Sequence, residues 1–193
     1  MFCLSEEVID KSARFFQEKG IAIDDKLVLI TAHRRENHGE RIDRIIEAIS
    51  FLAKKYSDHT FVIPVHPNPN VKNKIHERLG IFENIKLLAP LDYPYLVYLQ
   101  KHAKLILTDS GGIQEEAPAL GKPVLVMRDV TERQEGVEAG TAKLVGTKFD
   151  VIVNEALKLI NNENEYANMS NAVNPYGDGT TSKQIVEILR TKI

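Results

Sequence analysis

Apolar residues at Ile42, Ile45, Ile46, Ile49, Leu52, Ala53 and Tyr56 recur at intervals of three and four, which predicts an amphipathic helix over 40–56 with one buried stripe. The run before it, KLVLIT (26–31), is short and continuously apolar and reads as a buried strand. The same unit returns along the chain. TFVIPV (60–65) precedes a helix near 71–79, NIKLL (84–88) one near 93–101, and KLILT (104–108) one near 112–120. PVLVM (123–127) and a helix near 132–139 follow, then AKLVG (142–146) and a helix near 149–160. Strands of this length alternating with helices require parallel pairing, because each connection must return across a face of the sheet. The expected fold is therefore α/β, a Rossmann-like, doubly wound parallel sheet.

The two ends depart from the pattern. Residues 5–19 predict an amphipathic helix ahead of the first strand, and NPYGDGTTSKQIVEILRTKI (174–193) reads as a Pro/Gly corner followed by a last helix. Each is either an appendage packed on the sheet or a piece shaped to meet another domain. No repeat of fixed period, low-complexity tract or linker-like charge run interrupts the chain.

Composition narrows the function. With 193 residues, 43% of them hydrophobic, the chain can bury a substantial core. No run approaches the roughly 18–20 apolar residues needed to span a bilayer, and Met1–Glu7 lacks the basic-then-apolar profile of a secretory signal, so a cytoplasmic protein without a membrane partner is expected. Cys3 is the only cysteine, which excludes an intrachain disulfide or thiolate cluster. A formal charge of −2 argues against nucleic acid as partner and for a small ligand.

In open parallel sheets ligands bind beyond the carboxyl ends of the strands, and in this sequence those positions are polar. They read AHRREN after the first strand (with His33, Arg34, Arg35 and Glu36), HPNPN from His66, DSGG after 104–108, and RDVTER after 123–127. Gly111 and Gly112 allow a ligand to approach the backbone, and the helix that starts there directs free N–H groups outward, a site suited to phosphate. Glu116, about a turn further on, carries acceptor oxygens only and suits a pair of sugar hydroxyls. Phosphate beside ribose means a nucleotide, although neither GxGxxG nor GxxxxGK[ST] is present. Each feature also has a plain structural reading. Glycines serve turns, an acid in a first helical turn offsets the macrodipole, His66 sits in a proline-rich turn, and Arg34, Arg35, Arg128 and Arg133 read equally as surface charges. The convergence of four corners on one rim favours a ligand.

TAHRREN (31–37), PVHPNPNV (64–71), LTDSGGIQEEAPALGKPVLVMRDVTERQEGVEAGTAKLVGT (107–147) and NPYGDG (174–179), in this order and spacing, resemble the non-hydrolysing UDP-N-acetylglucosamine 2-epimerases over nearly the whole chain. The resemblance implies the C-terminal, nucleotide-binding half of a two-domain GT-B architecture, with the N-terminal half as a missing partner. Residues 1–24 would be a hinge-region helix, 25–173 the UDP-binding domain, and 174–193 a helix crossing toward the other half. The implied reaction inverts C2 of the sugar, converting UDP-N-acetylglucosamine to UDP-N-acetylmannosamine by eliminating UDP and adding it back, a step toward cell-surface polysaccharide. The alternative is a stand-alone UDP-sugar module or half of a glycosyltransferase.

Carried over by position, the resemblance gives Ser110, Gly111 and Gly112 to the diphosphate, Glu116 to the ribose, Arg133 to the phosphate side, and Leu91 and Leu96 to the uracil. His33 would reach the diphosphate and the glycosidic oxygen as the catalytic residue, and Arg34 and His66 match an activator site for a second UDP-N-acetylglucosamine. A homodimer of the full-length form is a further expectation. No metal or redox cofactor is implied.

Overall fold

A computed structural model describes residues 4–191; Cys3 lies outside the described residues. Its six strands are β1 (Leu27–Thr31), β2 (Thr60–Pro64), β3 (Ile85–Leu88), β4 (Leu105–Thr108), β5 (Val124–Val126) and β6 (Ala142–Leu144). All neighbours pair in parallel, in the order β3-β2-β1-β4-β5-β6. The chain moves outward from β1 to β3, then crosses to the far side of β1 and moves outward again. The direction of winding therefore reverses between β1 and β4, and this opens a crevice at their carboxyl ends.

Strand period and helix stripe together make two cores. On one face Val28 and Ile30 of β1, with Leu105 and Leu107 of β4, meet Ile42, Ile45, Ile46 and Ile49 of helix α2 (Glu40–Lys55), joined by α3 (Pro69–Leu79) and α7 (Phe149–Asn161). On the other, Leu27, Leu29 and Ile106 meet Phe16 of α1 (Glu6–Glu18), Leu99 of α4 (Tyr93–His102) and Ile113 of α5 (Gly111–Glu116). Removal from water of each such side chain contributes about 1.5–3 kcal/mol, so the strands are held from both faces. Helix α1 is fastened by aromatic rings: Phe15 stacks on Tyr95 at 4.4 Å and Phe16 on Tyr98 at 5.7 Å.

Some boundaries differ from the expectation. The helix expected over 112–120 ends as α-helix at Glu116 and continues as a 3-10 turn over Ala117–Leu120, where Pro118 cannot donate to a helical ladder and Gly121 closes the turn at φ +65°. Helix α3 starts at Pro69, because Asn68 caps it by accepting from the Asn70 N–H at 3.0 Å. Helix α6 (Gln134–Glu138) is shorter than expected. Helix α8 (Glu163–Ser170) was not anticipated, although its cap was readable: Asn162 Oδ1 accepts from the N–H groups of Asn164 and Glu165.

The last helix, α9 (Thr181–Thr191), buries no residue and leaves Ile185, Val186, Ile188 and Leu189 about half exposed. Among the described residues no helix is long and apolar enough to cross a membrane.

Candidate functional site

Thr31 and Thr108, the last residues of β1 and β4, are register partners, and their hydroxyls are hydrogen-bonded to each other. Thr108 Oγ1 also accepts the Ser110 N–H at 2.9 Å, which turns the chain out of the sheet into the glycine corner. One of the corner's amides is thus used internally. Among the described residues the N–H groups of Gly111 and Gly112 have no acceptor, as expected at the first positions of a helix.

Two guanidinium groups close over this corner. A methyl group placed on Gly111 would lie 3.3 Å from Arg133 Cζ and 3.3 Å from an Arg34 terminal nitrogen, so only glycine lets both cations approach the backbone so closely. Arg133 is held by Glu115, to which its Nε donates at 2.7 Å, whereas among the described residues the buried Arg34 Nε has no acceptor. Arg34, set apart by the resemblance, therefore lies next to Arg133 and the diphosphate candidates.

His33 leaves β1 over the buried carboxylate of Asp109. That carboxylate accepts the His33 N–H at 2.9 and 3.1 Å, the Arg34 N–H at 2.9 Å and Asn37 Nδ2 at 3.0 Å, and lies 3.1 Å from His33 Nδ1. Burial alone would push Asp109 upward, but the hydrogen bonds from the His33 ring and the two backbone amides outweigh it and hold the group below the ordinary carboxylate range. The His33 ring stacks on His66 at 5.9 Å with 18° between planes. His66 is itself fixed by its turn, since its Nδ1 accepts the Asn68 N–H at 3.2 Å, which leaves any ring proton of neutral His66 on Nε2.

Glu116 points to the same side as the corner. Its Oε1 would lie 3.8 Å from a Gly112 methyl, and its Oε2 accepts from Gln100 Nε2 at 2.8 Å. Burial, then the Glu116 charge and a hydrogen bond to Glu116, raise the Tyr93 phenol above its ordinary value.

A cleft of about 310 Å³ is lined on the polar side by His33, His66, Ser110, Gly112 and Glu116 and on the apolar side by Pro90, Leu91, Leu96 and Ile113, with Tyr93 between; Gly111, Arg34 and Arg133 are not among its lining residues. The apolar wall suits a flat heterocycle and the opposite wall a polyanion with vicinal hydroxyls.

Most residues singled out from the sequence meet here or at its edge, but several that shape the site were not read from it: Asp109, Asn37, Gln100 and Tyr93. Asp109 stood in the quoted DSGG corner and offered a signal; Gln100, inside an apolar helix, offered only its polarity. Arg128, readable as a surface charge, is buried. Its Nε donates to Glu36 at 2.6 Å and its terminal nitrogens donate to Glu132 at 2.9 and 3.1 Å, a brace between the loops after β1 and β5.

Comparison with known proteins gives consistent matches. The profile of the family described as UDP-N-acetylglucosamine 2-epimerase matches residues 4–190. The UDP-N-acetylglucosamine 2-epimerase of Escherichia coli K12 is 52% identical over 167 residues, covering 86% of this chain and 44% of the relative. The crystal structure of the Neisseria meningitidis UDP-GlcNAc 2-epimerase bound to UDP-GlcNAc superposes with TM-score 0.89 at 49% identity, over 96% of this chain and 50% of that one. The Staphylococcus aureus MnaA–UDP co-structure superposes at 0.82 and 45% identity, over 95% and 47%. The chain thus spans about half the length of the relatives it matches.

Proposed function

The chain belongs to the UDP-N-acetylglucosamine 2-epimerase family, and on that premise we propose that it supplies the UDP-holding half of an enzyme that inverts C2 of UDP-N-acetylglucosamine. The observation that carries this reading is the meeting, at the β1–β4 reversal, of a glycine corner, two guanidinium groups, the His33 ring and Glu116.

In this reading the Gly111 and Gly112 amides, the Ser110 hydroxyl and Arg133 hold the diphosphate, Glu116 accepts from the ribose hydroxyls, and the uracil lies on Leu91 and Leu96. Arg34 and His66 border the diphosphate and serve an activating second nucleotide-sugar. The C1–O bond breaks with its electron pair staying on the diphosphate, and a proton leaves C2 to a base supplied by the N-terminal half. Donors fixed before the reaction at the oxygen that gains charge lower that barrier, and His33 stands at the same oxygen.

Residues 1–24 act as hinge, and 174–193 cross to the other half, which covers the apolar residues of α9. A soluble nucleotide-sugar substrate fits a cytoplasmic enzyme feeding cell-surface polysaccharide synthesis, working as a homodimer of the full-length form.

Calorimetric titration of the chain with UDP tests the binding half, and addition of the N-terminal half with UDP-N-acetylglucosamine tests turnover. Saturable UDP binding and turnover only in the mixture are expected. No heat at millimolar UDP removes the reading. His33→Ala is expected to cut turnover of the mixture about 10²–10³-fold.

A further inference from the structure

Asp109 is fully buried at the carboxyl end of β4, and among the described residues the hydrogen-bonding neighbours of its carboxylate are the His33 and Arg34 amides, Asn37 Nδ2 and His33 Nδ1. Oδ2 receives the Arg34 N–H, the His33 N–H and Asn37 Nδ2, while Oδ1 shares the His33 N–H and faces His33 Nδ1 at 3.1 Å. The carboxylate's position is thus fixed by backbone on one side and by Asn37 on the other, and Asn37 is anchored in turn by donating to Met127 O at 3.1 Å. A carboxylate has acceptors only, so Nδ1 without a proton would set two lone pairs against each other.

We propose that Asp109 is the positioning residue for His33: it holds the Nδ1–H edge of the imidazole, so that Nε2 is the nitrogen presented to the cleft. The assignment rests on the reading that the diphosphate lies beside His33, and it deepens that reading by naming the atom involved. Asp109 does not touch the ligand. It fixes the tautomer and tilt of the ring, while His66, stacked on the ring face, limits its rotation. Among the described residues Nε2 has no protein partner, which leaves it to the ligand. When the C1–O bond breaks, a proton or hydrogen bond reaching the departing oxygen passes through Nε2, and the Nδ1 proton stays on the Asp109 side.

A purely structural role for Asp109, capping the loop after β1, needs only the backbone amides and leaves the tautomer open. The two roles separate by nitrogen NMR of the chain with ¹⁵N-labelled histidine, His33 being assigned by its loss in His33→Gln. The spectrum is read at a pH where the nitrogen shifts themselves show a single ring proton. The wild-type ring is expected to carry it on Nδ1. In Asp109→Asn the amide oxygen must turn to the two backbone N–H groups, which aims the NH₂ at Nδ1 and reverses the tautomer to Nε2–H.

A wild-type ring protonated on Nε2 overturns the proposal, as does a folded Asp109→Asn protein that keeps Nδ1–H. Should that variant fail to fold, the wild-type spectrum decides alone. UDP added to the wild type is expected to shift the Nε2 resonance. Calorimetric binding that leaves both His33 nitrogens unmoved sinks the placement of the diphosphate, whatever the tautomer, so the two failures are distinguishable.

Discussion

Gln100 of α4 donates from Nε2 to Glu116 Oε2 at 2.8 Å, so the carboxylate that faces the glycine corner is oriented by a fully buried amide on a neighbouring helix. Among the described residues the Gln100 Oε1 has no partner, so the side chain is retained at a desolvation cost, and the bond its amide makes goes to the cleft.

Gln100→Leu therefore releases Glu116 without removing it. One hydrogen bond to a charged group contributes about 1.5 kcal/mol, which corresponds to about a tenfold weaker UDP affinity by calorimetry. The loss should be smaller for 2′-deoxy-UDP. Equal losses for both nucleotides would take Gln100 out of the ribose grip.

Gly111→Ala separates binding from stability. The added methyl meets only the movable ends of Arg34 and Arg133, and alanine is the better helix former by up to about 1 kcal/mol. The thermal midpoint should hold or rise slightly while UDP affinity drops about tenfold, since a displaced guanidinium forfeits a charge-assisted bond. A variant that is destabilised yet binds normally contradicts the placement of these cations.

Arg128→Met removes the brace between the loops after β1 and β5, and a fall in thermal midpoint of about 5 °C is expected at neutral pH. Its pH dependence has a definite sign. The Arg128 guanidinium draws the Glu132 carboxyl down to about 2 from an ordinary 4.5. A lowered folded value means that the stabilisation is complete above about pH 4.5 and is lost as the pH falls toward 2. The difference in midpoint between wild type and variant should be constant near neutrality and narrow between those limits. A gap independent of pH would show that packing rather than charge holds the loops.

Deletion of residues 181–193 should leave the thermal midpoint within about 2 °C, because α9 buries nothing against the sheet. Light scattering should show less self-association, since Ile185, Val186, Ile188 and Leu189 leave with the helix. A large fall in midpoint would mean that α9 packs on the domain in solution.

The periodicity of the chain by itself determined the strands, their parallel pairing and every helix but α8, because burial on two faces writes a local pattern that a short window displays, and α8 buries no residue. It also determined which residues stand at the strand ends, and His33, Ser110, Gly112 and Glu116 line one cleft together with Leu91 and Leu96, which the resemblance rather than the periodicity had assigned. What only the tertiary structure decided is who meets whom at that rim. The order of the strands depends on packing summed over the whole sheet, and no local window carries it. That order sets β4 beside β1 and so brings Asp109 under His33 across 76 residues of chain; likewise, the folding of α4 against the corner brings Gln100 to Glu116. Arg128 shows the same limit, since a charge in a loop reads as exposed until carboxylates from two other places in the sequence close around it.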